Sequence, residues 1–111
     1  MGYSRAVRVG NVVEVAGTTA QDGDAITGRD EYAQTKRILE KIAVALHEAG
    51  ATLAQVVRTR IFVTDIANWE AVGRAHGEVF GTIRPVTTMV QVAALIDPRL
   101  LVEIEATAII D

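Results

Sequence analysis

The feature that most constrains the fold is a long helical pattern between residues 30 and 49, with strand patterns on both sides of it. Asp30 is a favourable N-cap residue, and Gly50 is a favourable left-handed residue just past the C-terminus. The pattern predicts an amphipathic helix of roughly 19 residues, about 28 Å long at about 1.5 Å per residue. The residues that recur at helical spacing are Thr35, Ile38, Leu39, Ile42, Leu46 and Ala49.

A second, shorter helix is predicted from Trp69 to Phe80, with Asn68 as its N-cap and Gly81 at its end. Gly73 and Gly77 lie inside it, four residues apart on one face. Each glycine costs a helix about 1 kcal/mol relative to alanine. We interpret the pair as a sign that this helix packs closely on a sheet.

Strand patterns surround the two helices. Gly10-Asn11 between β-branched residues predicts a hairpin turn, whereas the turn-rich segment 18–28 predicts a loop. The resulting order is β-β-α-β-α-β-β, which we interpret as one α+β domain covering residues 1–111. The predicted strands are 7–9, 12–15, 56–63, 87–92 and 102–109.

Two helices can cover only one face of a sheet of about five strands, so the composition of the other face is informative. We expect this face to mix charged and large apolar side chains. A buried core does not tolerate such charges unpaired, and a solvated face does not need the apolar residues. The mixture favours a face shared between subunits, with a plain solvated face as the alternative. The expected members are Glu14, Arg58, Arg60, Gln91, Glu103, Glu105, Val56, Phe62, Met89 and Ile109.

Composition argues against several classes of function. The net charge is −3, which provides no electrostatic attraction for nucleic acid or an anionic membrane. The absence of cysteine excludes thiol nucleophiles and thiolate metal sites, and neither His47 nor His76 has a second histidine at helical spacing, so no metal is expected. No apolar run is long enough to span a bilayer and the N-terminus lacks a signal-peptide core, so a cytoplasmic location is expected.

Several segments, taken in order, resemble the RidA/YjgF family, also called the L-PSP family. None of these segments is specific alone, but together they cover nearly the whole chain in the family's order. They are Tyr3-Ser4-Arg5-Ala6-Val7 with Gly10-Asn11, the strand from Val56 to Asp65, the segment from Pro85 to Ala93, and Val102-Glu103-Ile104-Glu105-Ala106.

This resemblance implies a chorismate-mutase-like fold and a homotrimer in which the sheets line the centre and the helices lie outside. It also implies three small-molecule clefts between subunits. Family members typically hydrolyse reactive enamines and imines to 2-keto acids and ammonia, with no metal or organic cofactor. An arginine holds the substrate carboxylate, and a carboxylate with backbone groups positions the attacking water.

Three residues match the family's cleft residues. Tyr3 falls on its tyrosine, although an aromatic anchor for the first strand is an equal alternative. Gly17 falls on the glycine whose amide faces the ligand, after Ala16 in place of the usual serine, and a simple strand terminator is the alternative. Glu103 falls on the water-positioning glutamate, and pairing with Arg58 or Arg60 is the alternative.

The arginine that holds the substrate is missing. The family pattern is Pro-x-Arg-Ser/Thr, and here Pro85 is followed two residues later by Thr87. Met89 replaces the usual cleft cysteine, and Gly73 replaces the helix asparagine. A neutral contact in place of a guanidinium–carboxylate pair costs about 1–3 kcal/mol of binding. The candidates for a relocated arginine are Arg84, with an exposed loop residue as its alternative, and Arg60.

Three functions therefore stay open at this point. The first is a trimeric hydrolase of enamine or imine type with altered specificity. The second is a trimer that binds a small metabolite without converting it and has a regulatory or protective role. The third is a holdase-like structural trimer. Catalysis predicts Glu103 in a cleft near an arginine, whereas a structural role predicts a cleft filled by Met89 and its neighbours.

Overall fold

Two helices form where the sequence carries helical periodicity. In this computed structural model, which describes residues 1–111, helix α1 spans Glu31–Glu48 and helix α2 spans Trp69–Phe80. The Asp30 carboxylate accepts a hydrogen bond from the Ala33 amide at 2.8 Å and so caps α1. Gly50 follows α1 in the left-handed region, at φ 88°. Both predicted helices are confirmed, together with the start and end signals of the first.

Seven strands are present, and five of them form one mixed sheet. Their order across this sheet is β1-β2-β7-β5-β6. Strands β5 and β6 are parallel, and the other neighbouring pairs are antiparallel. The α+β class with a mixed sheet is therefore confirmed. The strands are β1 Ala6–Val9, β2 Val12–Thr18, β3 Gln21–Asp22, β4 Ala25–Ile26, β5 Val56–Val63, β6 Val86–Gln91 and β7 Val102–Ile109.

Both helices pack on the same face of the sheet. Ile38, Ile42 and Leu46 from α1 are completely buried, and they join the same core cluster as Ile104 from the centre of the sheet. Val72 lies in this cluster and ties α2 to it. None of the helices combines the length and the apolar character that crossing a membrane requires. The core thus lies between one helical layer and one sheet layer.

The other face of the sheet has no layer over it and carries exposed apolar side chains. Because directly paired residues of neighbouring strands share a face, Val12 and Ile109 lie together here, as do Phe62 and Glu103. We call this surface the open sheet face. Its apolar members more than a third exposed are Val7, Val9, Val12, Val86, Val90 and Ile109.

Three residues expected on the open sheet face lie elsewhere. A β-bulge between Val56 and Arg58 turns the strand, so Val56 is 3% exposed while Val57 is 41% exposed. Met89 pairs with the buried Ile61 and therefore lies on the helix side. Gln91 also lies on that side, and its side-chain oxygen accepts a hydrogen bond from the Ile66 amide. The alternation of side chains along a strand does not reveal where a bulge lies, nor which residues of an edge strand face the helices.

One further expectation is wrong and another is right in part. The predicted loop 18–28 contains the short hairpin β3–β4, which turns at Gly23 with φ 63° and is too short to show alternation. Asn68 lies at the N-cap position of α2, but its side chain does not cap the helix, because its amide nitrogen donates to the Glu31 carboxylate at 2.7 Å.

The two glycines of α2 do not reflect close packing on the sheet. A Cβ added at Gly77 would meet nothing within 4 Å. One added at Gly73 would come no nearer than 4.0 Å to the Trp69 ring. The interpretation of this pair as a packing feature is therefore wrong.

Candidate functional site

An open cleft of about 530 Å³ lies at the end of β2, beside the N-terminal segment. It brings together Tyr3, Gly17 and Glu103, three of the residues that the sequence predicts for the site. Arg5 and Lys41 add two cationic side chains. We call this group the carboxyl half-site. The remaining lining residues are Met1, Ala16, Thr19, Gln21, Gly23 and Ile96.

Gly17 is required by the close approach of a carboxylate. The pairing of β2 with β7 shifts by one residue between Val15 and Thr18, which is the signature of a β-bulge. At this bulge a Cβ on Gly17 would stand 2.2 Å from Oε2 of Glu103. No side chain fits at that distance, so glycine at position 17 allows Glu103 to fold against the backbone. The simple strand terminator is therefore an incomplete description of this residue.

Glu103 is a partly buried carboxyl group without a cationic partner. Arg60 pairs instead with Glu105, two residues further along β7, at 3.1 Å. Burial raises the pKa of Glu103, and the nearby charge of Glu105 raises it further. A carboxyl group in a cleft with a raised pKa is a candidate for proton exchange with a ligand.

Lys41 binds the backbone of the segment that lines the cleft at Thr19 and Gln21. Its Nζ donates to the carbonyl oxygens of Thr19 and Gln21, both at 2.7 Å, and lies 3.5 Å from the Asp22 carboxylate. Burial lowers the pKa of Lys41, and Arg5 lowers it further. The ammonium group therefore anchors the start of the β3–β4 hairpin to α1 while its charge faces the cleft.

Arg5 is exposed and its guanidinium has no ion-pair or hydrogen-bond partner in the structure. The sequence reasoning missed Arg5 and Lys41. The available signal for Arg5 was its spacing of two from Tyr3, which places both side chains on one side of an extended segment. Lys41 carried no signal, since it comes close to the cleft only through the tertiary fold. Two cationic side chains that sequence patterns did not indicate thus line the same cleft as Glu103.

A second cluster lies between β5, β6 and α2. The Thr59 hydroxyl lies 2.9 Å from Nε2 of His76 and 2.8 Å from the Thr87 hydroxyl. Thr87 also donates to the carbonyl of Pro85 at 3.3 Å. Met89 is half-buried beside this cluster on the same strand and packs against the core. We call Thr59, His76 and Thr87 the hydroxyl half-site.

Thr87 and Glu103, one from each half-site, point to opposite faces of the sheet. Thr87 pairs with Thr59, which is completely buried on the helix side. Glu103 pairs with Phe62 on the open sheet face, between the buried Val102 and Ile104. A single chain therefore does not bring Thr87 and Glu103 to one ligand.

The other predicted arginines lie outside both half-sites. Arg84 adopts a left-handed conformation at φ 57°, and its amide donates to the Phe80 carbonyl at 2.8 Å. Its side chain is exposed and forms no hydrogen bond. Arg60 lies on the open sheet face, where its guanidinium forms an ion pair with Glu105. No group of three or more His, Asp or Glu side chains is arranged to hold a metal ion.

Comparison with known proteins gives a consistent result over almost the full chain. The model of the family described as Endoribonuclease L-PSP matches residues 1–110. An uncharacterized protein of Streptomyces coelicolor is 44% identical over 108 residues, covering 96% of this chain and 81% of that protein. The 3-aminoacrylate deaminase RutC of Acinetobacter baylyi is 35% identical over 108 residues, covering 96% of this chain and 85% of that protein.

Solved structures agree with the fold. The chain resembles the crystal structure of a member of the highly conserved YjgF/YER057c/UK114 family from Mycobacterium tuberculosis. The TM-score is 0.91 with 60% sequence identity, and the match covers 98% of this chain and 87% of that chain.

Proposed function

The chain belongs to the RidA/YjgF (L-PSP) family, and from this premise we propose that it is a homotrimer that hydrolyses a small enamine or imine in clefts between subunits. In this arrangement the carboxyl half-site of one subunit faces the hydroxyl half-site of its neighbour. The open sheet face supports the assembly, because its exposed apolar residues lack a covering layer within the chain. The position of Thr87 and Glu103 on opposite faces supports a shared cleft.

The unpaired carboxyl group of Glu103 in the cleft is the observation that supports the catalytic part of the proposal. Its carboxylate stays free of ion pairs although Arg5 and Lys41 line the same cleft, and burial keeps its pKa raised. A structural carboxylate would be paired, as Glu105 is with Arg60. A free carboxyl group in a cleft is available to accept a proton from water.

The reaction needs only water and a proton carrier. Glu103 takes a proton from a water molecule whose oxygen attacks the carbon of the C=N group. This forms a tetrahedral carbinolamine. The protonated carboxyl group then returns its proton to the nitrogen. As the C–N bond breaks, the hydroxyl proton of the carbinolamine passes through the freed carboxylate to the departing nitrogen, so that the C=N group and water become a carbonyl compound and ammonia. Holding the water and the substrate in place supplies much of the rate enhancement.

Substrate preference is expected to differ from that of the family pattern. Thr87 offers a hydroxyl where the family has a guanidinium, so a carboxylate at this position loses about 1–3 kcal/mol of binding. Arg5 and Lys41 lie in the other half-site and hold an anionic group only on that side. The relative named as a 3-aminoacrylate deaminase supports the enamine class. The net charge of −3 disfavours RNA as the substrate.

The proposal is tested by offering the protein freshly generated 2-iminopropionate and following the ketone product in a coupled assay. We expect weak hydrolysis by the native protein and at least about tenfold more by Thr87→Arg, the gain that about 1.4 kcal/mol of restored binding provides. Glu103→Gln in the Thr87→Arg background should abolish the activity. Glu105→Gln in the same background is the matched control and should retain it.

Two outcomes contradict the proposal. Native hydrolysis as fast as that of Thr87→Arg would show that specificity is unaltered. Activity that survives Glu103→Gln would show that this carboxyl group is not the proton carrier.

A further inference from the structure

The hydroxyl half-site contains a buried hydroxyl group that has two hydrogen-bond partners and no others. Thr59 is completely buried, and its oxygen lies within hydrogen-bond distance of His76 and Thr87 alone. Thr87 is exposed and reaches the surface of the sheet edge. We infer that the chain Thr87–Thr59–His76 recognises an uncharged polar group of the ligand, and that His76 changes its tautomer to match a donor or an acceptor.

Hydrogen counting gives the chain two states. Thr59 has one proton, so it donates to one neighbour and accepts from the other. When Nε2 of His76 is bare, Thr59 donates to it and accepts from Thr87, whose free lone pairs then accept from a ligand N–H group. When Nε2 carries a proton, Thr59 accepts from it and donates to Thr87. Thr87 then directs its own proton outward, to the Pro85 carbonyl at 3.3 Å or to a ligand oxygen.

The surroundings of His76 keep both states accessible. The imidazole lies 4.7 Å from the Phe80 ring on α2, and its Nε2 meets the Thr59 hydroxyl, which in turn meets the Thr87 hydroxyl. Burial alone lowers the pKa of His76, and no charged side chain from any neighbouring element contributes. A neutral imidazole exchanges between its two tautomers without a net charge being buried. The half-site is thus adapted to an uncharged group.

A carboxylate fits this half-site poorly. It needs a cation or several donors, and the chain offers at most one hydroxyl donor. An amide, an amine or a neutral carbonyl needs only one donor or acceptor. The inference deepens the proposed function, because it names an uncharged polar group as the part of the substrate that meets this half-site. The hydrogen-bonded chain itself does not depend on turnover.

The first test uses the protein without any ligand. Long-range ¹H–¹⁵N spectra report the protonation and tautomer of each of the two histidines, and the exposed His47 serves as an internal reference. Thr59→Val should shift the Nε2 signal and the pKa of His76 and leave the ¹⁵N signals of His47 unchanged. An unchanged His76 signal would overturn the inference while leaving the proposed function intact.

The second test compares two small probes, pyruvamide and pyruvate, which differ in an amide against a carboxylate. Binding is measured from chemical-shift changes at pH 7.5. The affinity for pyruvamide should exceed that for pyruvate by about 3- to 10-fold, which corresponds to the free energy of one neutral hydrogen bond. Thr87→Val should remove this preference, and Thr87→Arg should reverse it. Thr82→Val, a change at an exposed threonine without a hydrogen-bond partner, is the control and should keep it.

Two results of the probe comparison would overturn the inference. One is native protein that binds pyruvate as tightly as pyruvamide. The other is a preference that persists in Thr87→Val. The exposed position of Thr87 keeps this variant folded even if Thr59→Val does not fold.

Discussion

Glu103 and Thr87 point to opposite faces of the same five-stranded sheet. Thr87 is bonded to the buried Thr59 on the helix side, whereas the Glu103 carboxylate lies against Gly17 on the open side. A ligand that touches both must therefore lie between two copies of the chain. This relationship links the assembly to the chemistry and leads to the predictions below.

Subunit mixing tests the shared cleft directly. Native protein should hydrolyse 2-iminopropionate weakly, and the double variant Thr87→Arg with Glu103→Gln should not hydrolyse it. Mixed trimers should be more active, because the introduced arginine of one subunit then faces Glu103 of another. The activity is measured after joint unfolding and refolding of the two proteins. A mixture no more active than the sum of its parts would argue against a shared cleft.

Gly17→Ala should impair the site with little effect on stability. The added methyl group would stand 2.2 Å from Glu103 Oε2, and the flexible end of that side chain can swing away. We expect a loss of less than about 1 kcal/mol in the free energy of unfolding. Hydrolysis in the Thr87→Arg background should fall towards the level of Glu103→Gln.

The matched control for that change is Gly77→Ala in α2, where an added Cβ meets nothing within 4 Å. It should stabilise the protein by about 1 kcal/mol and leave hydrolysis unchanged. Chemical denaturation gives both stabilities. Full activity in Gly17→Ala would show that the carboxylate position does not matter.

The fold and the site differ in how far the sequence predicts them. The bounds of α2 and of β5 and β7 follow from periodicity, because each buries one face of a regular element. The half-sites do not follow, because they depend on contacts between distant segments. Lys41 reaches the cleft from α1, and His76 meets Thr59 across the helix–sheet interface. Bulges at Val57 and Ala16 shift side chains in ways that alternation alone does not reveal.

Lys41→Met should loosen the β3–β4 hairpin. The change removes the donor shared by the Thr19 and Gln21 carbonyls, and we expect a loss of about 1–2 kcal/mol. Amide hydrogen exchange should accelerate across residues 19–26. Lys36→Met is the control, since the exposed pair of Lys36 with Glu78 contributes at most about 0.5 kcal/mol. Equal effects of the two changes would contradict the anchoring role of Lys41.

Glu103→Gln should stabilise the protein at neutral pH. The folded-state pKa of Glu103 is raised, so its ionisation costs stability as the pH rises through that pKa. Below the unfolded-state pKa both states hold the proton and the cost vanishes. The Tm of Glu103→Gln should therefore exceed that of native protein at pH 7.5 and match it at pH 4. A lower Tm at pH 7.5 would mean that the carboxylate stabilises the fold.

Sedimentation equilibrium of the native protein tests the central claim most directly, because the proposed site exists only between subunits. One chain has a mass of 11.9 kDa, so three chains have a mass of 35.7 kDa. We expect a single species of 35.7 kDa at micromolar concentration. A species of 11.9 kDa under the same conditions would leave Thr87 and Glu103 on separate faces of one molecule and would contradict the account.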